Sequence, residues 1–129
     1  MPMGKFVVYG CRHTATPVLG DETVRREAGL PDMEYRELPC LGTLDPLMAM
    51  RDLVAGADHV LAVGCYTSRC EHLTGSQRAM RALSHVGDVL EEAGVDRSRV
   101  GIVLGSPIDP RAIIEDIIEF HLGEEGEDE

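Results

Sequence analysis

The stretch Asp58-His-Val-Leu-Ala-Val-Gly-Cys-Tyr-Thr-Ser-Arg-Cys70 decides the reading of this chain. Val60 to Val63 is an unbroken apolar run, the pattern of a strand buried on both faces. Gly64 interrupts it, and two cysteines follow, Cys65 and Cys70, with four residues between them. The remaining two cysteines, Cys11 and Cys40, stand in the same context, each just past a strand-like run.

Working back from that stretch, Asp45-Pro46 is a helix start, with aspartate as N-cap and proline at the first helical position. The helix runs through Met48, Arg51, Leu53 and Val54 and stops at Gly56. Before it, Met33-Glu-Tyr-Arg-Glu-Leu38 alternates apolar and polar residues, as a strand exposed on one side does, and Pro39 and Cys40 close it. Asp21 caps a short helix that ends at Gly29. The stretch from Arg12 to Pro17 reads as a loop, and Lys5 to Tyr9 as the first strand, closed by Gly10 with Cys11 next.

Working forward, Thr74-Gly-Ser-Gln77 has the form of a capping box. Met80, Leu83, Val86, Val89 and Leu90 give the following helix its apolar spacing, and Gly94 ends it. Val100 to Leu104 is a fourth strand, and Asp109-Pro110 opens a last helix with Ile113, Ile114, Ile117, Ile118 and Phe120 on its apolar face. Four strands alternating with four helices predict an α/β fold. The expected sheet is small, open and parallel, in order 2-1-3-4 with helices on both faces, flavodoxin- or Rossmann-like. One domain is expected over 1–122, with 123–129 an acidic disordered tail, since five of the last six residues are acids.

The formal net charge is −11, from 23 acidic and 12 basic residues, which disfavours nucleic acid and anionic membrane surfaces as partners. No apolar run approaches the roughly 20 residues of a membrane span. The N-terminus enters a strand without the apolar segment of a signal peptide, so a cytoplasmic location is expected. Four cysteines in such a chain argue for ligands or redox thiols over a disulfide framework.

In an open parallel sheet, ligands sit beyond the carboxyl ends of the strands, where the strand order reverses. The predicted order makes the loops holding Cys11, Cys40, Cys65 and Cys70 neighbours. Four thiolates at one locus can hold a 2Fe–2S cluster, a 4Fe–4S cluster or structural zinc. Zinc usually takes C-x-x-C knuckles, and the chain has none. A redox disulfide between Cys65 and Cys70 would leave Cys11 and Cys40 unexplained, and small buried core residues are the bland alternative. Arg12 and Arg69 adjoin Cys11 and Cys70, where positive charge would offset an anionic centre, and Gly10, Gly42 and Gly64 would let backbone N–H groups approach sulfur. His13 and His72 lie near enough in sequence to replace a ligand. No nucleophile elbow, glycine-rich phosphate loop or other catalytic motif is present, and the helix methionines Met48, Met50 and Met80 read as packing residues.

The segments Pro39-Cys-Leu-Gly-Thr-Leu-Asp-Pro46, Gly56 to Cys70, Gly75 with Ala79 and Arg81, and Leu90 to Arg99 together carry a resemblance. Over about residues 5–121 the chain resembles the delta subunit of methyl-viologen-reducing hydrogenase. The resemblance implies a small iron–sulfur carrier with one 2Fe–2S cluster. Its partners would be a nickel–iron hydrogenase or formate dehydrogenase and the flavin-bearing subunit of heterodisulfide reductase, in methanogens and their relatives. Carried over by position, Cys11, Cys40, Cys65 and Cys70 are the implied ligands. The chain departs from the family in holding Thr14 where a further cysteine is usual, Tyr66-Thr-Ser-Arg69 in place of His-Pro-Gly-Asp, and Gly75-Ser76 in place of Gly-Asn.

The expectation is therefore an electron-transfer subunit that does no bond chemistry itself. Two rivals stand beside it: a metal-stapled or metal-free adaptor within a larger complex, and a thiol oxidoreductase using Cys65 and Cys70.

Overall fold

The computed structural model describes residues 5–12, 14–65, 75–105 and 109–121. Four parallel strands, β1 (Lys5–Cys11), β2 (Glu34–Leu38), β3 (Ala57–Cys65) and β4 (Val100–Gly105), form one sheet in order β2-β1-β3-β4. This is the order the sequence predicts. The strands run further than their apolar runs suggest: β1 continues through Gly10 and Cys11, and β3 takes in Asp58 and His59. Backbone pairing carries these ends along: Gly10 pairs with Glu37 and Val63, Cys11 with Leu38, and His59 with Phe6.

Among the described residues there are five α-helices: α1 (Thr16–Leu19), α2 (Glu22–Glu27), α3 (Pro46–Val54), α4 (Gly75–Glu92) and α5 (Pro110–His121). The extra one is α1, a single turn in the stretch expected to be loop, started by Pro17 in its first turn and by Ala15 and Leu19 turning into the core. Asp21 and Asp45 act as N-caps, accepting from the Thr23 and Leu47 amides. Gly29, Gly56 and Gly94, which follow α2, α3 and α4, all take positive φ, the left-handed turn that closes a helix most cheaply with no Cβ. The capping box at Thr74 lies outside the described residues.

Two apolar cores, one on each side of the sheet, hold it together. Val7, Tyr9, Cys11, Val60, Ala62 and Val100 meet Ala49 of α3 and Ala79, Leu83 and Val86 of α4 on one side. Phe6, Val8, Leu61, Val63 and Val103 meet Val18 and Leu19 of α1 and Ile113 and Ile117 of α5 on the other. Going from β1 outward to β2 and then back across to β3 reverses the winding direction, and right-handed crossovers then put α1 and α3 on opposite faces. Among the described residues no helix is long and apolar enough to cross a membrane.

The buried stripe of α4 is Ala79, Leu83 and Val86, with Leu90 partly buried. Met80 and Val89, expected on the apolar face, are 42% and 37% exposed instead. The period is right, but the stripe passes through the small Ala79, so its neighbour Met80 turns outward.

Candidate functional site

The strand order reverses between β1 and β3, so the crevice beyond their carboxyl ends is the topological switch point of the sheet. Cys11 is the last residue of β1, and Cys65 is the last of β3. Gly10 pairs with Val63, so the β1 strand ends one residue past that pair and the β3 strand two residues past it. Cys40 follows β2 by two residues and opens the 3-10 turn Leu41–Thr43. Three of the four cysteines therefore stand at the carboxyl ends of three adjacent strands, on either side of the switch point.

Cys11 and Cys40 are 2% and 6% exposed and belong to the same apolar core, under α3 and α4. Both are held by their backbones. The Cys11 carbonyl accepts from the Thr14 and Ala15 amides at 3.2 and 2.8 Å, which turns the chain directly from β1 into α1. The Cys40 carbonyl accepts from the Thr43 amide and the Thr43 hydroxyl, at 3.0 and 2.8 Å. The Arg12 amide donates to the Leu38 carbonyl at 2.8 Å, which ties the residue after Cys11 to the end of β2. A position fixed in this way suits a metal ligand, whose sulfur must be presented without rearrangement.

Gly10 has a packing reason beside that turn. A Cβ there would lie 2.2 Å from the Tyr35 hydroxyl and 2.7 Å from the Ala15 Cβ. The Tyr35 hydroxyl shares a 2.7 Å hydrogen bond with the Thr16 hydroxyl, and burial pushes its pKa up to about 12. The hydrogen bond to Thr16 works against that rise, and the negative charges of Glu37 and Cys11 add to it. Thr14 is buried at 2% exposure, one turn past Cys11.

The remaining sequence-derived candidates divide. Arg12 is exposed and pairs with Glu37 at 2.9 Å, so its charge is already met by a carboxylate. Cys70, Arg69, His13 and His72 lie outside the described residues, as does the Cys65 side chain. Among the described residues, no group of three or more His, Cys, Asp or Glu is placed to hold a metal ion.

A polar network between β1, β2 and α3 carries no signal in the sequence. The Tyr9 hydroxyl donates to Asp52 Oδ2 at 2.6 Å, while Arg36 Nη1 donates to the same hydroxyl at 2.6 Å and to Asp52 Oδ1 at 2.8 Å. The Arg36 guanidinium also lies 5.3 Å from the centre of the Tyr9 ring. Burial, with the Asp52 carboxylate adding to it, pushes the Tyr9 pKa up to about 12. The three residues come from sequence positions far apart, so neither spacing nor motif could have joined them. They bolt α3 to the two strands that lead into Cys11 and Cys40.

Residues 6–123 match the family described as methyl-viologen-reducing hydrogenase, delta subunit. An F420-non-reducing hydrogenase iron-sulfur subunit of Archaeoglobus profundus is 30% identical over 70 residues, covering 54% of this chain and 51% of the relative. The F420-non-reducing hydrogenase vhu iron-sulfur subunit of Methanocaldococcus jannaschii is 32% identical over 79 residues, covering 57% and 59%. One component of the Ferredoxin:CoB-CoM heterodisulfide reductase of Methanosarcina mazei is 26% identical over 81 residues, covering 63% of this chain and 10% of that protein. The chain thus spans little more than half the length of the first two relatives. With its parallel sheet, and Cys11 and Cys65 ending the two strands at the switch point, the chain belongs to the methyl-viologen-reducing hydrogenase delta-subunit family.

Proposed function

We propose that this protein is an electron-transfer subunit that holds one 2Fe–2S cluster on Cys11, Cys40, Cys65 and Cys70. It connects a hydrogenase or formate dehydrogenase with a heterodisulfide-reductase-like flavoprotein. One observation carries the reading most: Cys11 and Cys40 are buried in a common core at the carboxyl edge, and β3 ends in Cys65 on the adjacent strand. Family membership supports it, as do relatives named as iron-sulfur subunits and the partial match to a heterodisulfide reductase component.

The donor chemistry fits. Thiolates are the usual ligands of a 2Fe–2S cluster, and burial of two of them limits water at the metal. The cluster supplies one-electron chemistry when bound. Cys11 at the end of β1 and Cys40 before the Leu41–Thr43 turn share one apolar core with Leu41, Leu44 and Ala79.

The test is purification under anaerobic conditions, followed by iron and acid-labile sulfide analysis and a paramagnetic resonance spectrum of the reduced protein. About two irons and two sulfides per chain are expected for a 2Fe–2S cluster. Zinc without acid-labile sulfide would overturn the reading. Cys65→Ser should abolish partner-dependent electron flow; if flow survives, the chain serves as an adaptor.

A further inference from the structure

We propose that the first two turns of α4 are the docking surface for the electron partner, and that the partner's facing surface carries carboxylates around an apolar centre. This rests on the electron-transfer reading and names the partner chemistry for that same site.

The starting observation is an uneven distribution of charge. The chain as a whole carries −11, yet between residues 59 and 87 the only acid is Glu71, against Arg69, Arg78 and Arg81. Arg78 and Arg81 are exposed on α4, with the 42%-exposed Met80 between them. One residue before Met80, Ala79 is fully buried in the core that contains Cys11 and Cys40. The helix also packs against the Leu41–Thr43 turn that follows Cys40. Arginines and an exposed methionine thus lie on the outer side of helical turns whose inner side belongs to the same core as the two buried cysteines. The first turn of α3, on the same face of the sheet, adds Leu47 at 55% exposure.

A second observation is independent of position. The exposed charges of α4 run against its dipole: arginines near the amino end, and Asp88, Glu91 and Glu92 near the carboxyl end, with no acid in the first turn and no base in the last. Two of the acids at the far end are occupied by Arg97, which donates to Asp88 and Glu91 at 2.9 and 3.2 Å. Arginines beside the positive end of a helix are unfavourable for the helix itself. Carboxylates of a partner laid over them would relieve that repulsion, and Met80 would supply the adaptable apolar contact. An acidic protein that has to approach another acidic protein needs such a local reversal of sign to steer the encounter.

The test uses the full chain, purified anaerobically, with a plant-type ferredoxin, a small acidic one-electron carrier, as the probe. Calorimetry measures binding and stopped-flow spectroscopy measures electron exchange, both across a series of salt concentrations. Binding is expected to weaken as salt rises, although both proteins are negative overall. R78E/R81E should weaken it by about tenfold or more and Met80→Ser by about threefold. R51E/R99E alters two exposed arginines away from the amino end of α4 and adds the same negative charge. It should change binding by less than about twofold. Glutamates near the amino end of α4 suit its dipole, so R78E/R81E is expected to fold at least as well as the parent. Equal losses in the two double variants, or binding by R78E/R81E at the parent level, would overturn the proposal. Calorimetric binding does not need the cluster. A chain that holds no iron yet binds through α4 sinks the electron-transfer reading and leaves the docking surface standing. A loaded chain whose exchange ignores R78E/R81E does the reverse.

Discussion

On the side of the sheet under α1 and α5 the core is made of bulk: Phe6, Val8, Leu61, Val63, Ile113 and Ile117. On the side under α3 and α4, Val7, Leu41, Leu44, Val60, Leu83, Val86 and Val100 share the space with Ala49, Ala57, Ala62, Ala79, two thiols and the ring of Tyr9. Apolar volume is what burial rewards, at roughly 25 cal/mol for each Å² withdrawn from water. The first face is therefore almost wholly large apolar side chains, while the second interleaves them with alanines and with groups that can bind or hydrogen-bond. Small residues there let α3 and α4 lie close to the strand ends, where the cysteines are.

The difference between the faces is tested most directly by trimming one buried side chain in each. Ile117→Ala removes three carbons from a side chain with no exposure and should cost about 3 to 4 kcal/mol of unfolding free energy. Cys40→Ala, read in metal-free protein, removes a single sulfur and should cost only about 1 kcal/mol. Urea unfolding of both variants measures the difference. Equal costs would mean that the thiol face is as tightly specified a core as the other. With iron bound, the ranking should invert, because loss of a ligand forfeits metal binding free energy that Ile117→Ala leaves in place.

A second cut sharpens what the polar groups of the thiol face contribute. Asp52 has a side chain only 11% exposed and takes hydrogen bonds from both Tyr9 and Arg36. Asp52→Ala leaves the Tyr9 hydroxyl without this acceptor and Arg36 with Glu34 as its one carboxylate partner among the described residues, and should cost about 2 kcal/mol. Asp52→Asn keeps the shape and should recover part of that. No loss in either variant would show that the network is ornamental and that apolar packing alone holds α3.

The two tyrosines give a pH test with one probe on each face. Tyr9 belongs to the thiol face and Tyr35 packs against the other, and both have pKa values raised to about 12. A phenol that holds its proton more tightly when folded stabilises the fold fully below its unfolded pKa, near 10, and that stabilisation is lost as pH climbs towards 12. The loss should be about 2 kcal/mol for Tyr9 and smaller for the partly exposed Tyr35. Unfolding free energy measured from pH 9 to pH 12, in Tyr9→Phe and Tyr35→Phe, assigns the two shares.

The contrast between the faces also marks how far the sequence could be read. Strand number, order and direction were legible because β3 is apolar throughout its centre and because Asp21 and the pair Asp45-Pro46 announce helices that Gly29 and Gly56 end. The turn at α1 was not, since Arg12 to Pro17 has no helical period and is shaped by the Cys11 carbonyl and by Tyr35 lying over Gly10. The placing of Cys11, Cys40 and Cys65 at the carboxyl edge followed from topology alone. That Cys11 and Cys40 share one core while Arg12 is taken by Glu37 depends on pairings across three strands, which spacing does not encode. The outward turn of Met80 escaped for a related reason: an alanine at the contact line carries too weak an apolar signal to set the phase of a helix.

The smallest expected effect separates the helix starts of the two faces. α3 begins with a complete cap, in which the Asp45 side chain accepts from the Leu47 amide at 2.9 Å and the Met48 sulfur accepts from the Asp45 amide at 3.3 Å. α1, on the opposite face, begins at Ala15 with no side-chain cap and is held by the Cys11 carbonyl. Asp45→Ala removes a cap acceptor and should cost about 1 kcal/mol. The loss should be local, because Leu44 and Ala49 on either side of the cap are buried in the core and keep α3 docked. Hydrogen exchange should therefore quicken at the Leu47 and Met48 amides while amides in β1 and β3 keep their rates. If exchange also quickens at the Thr43 and Leu44 amides of the turn that follows Cys40, the cap is part of what fixes that cysteine. The thiol face would then owe its precision to a helix start as much as to its packing.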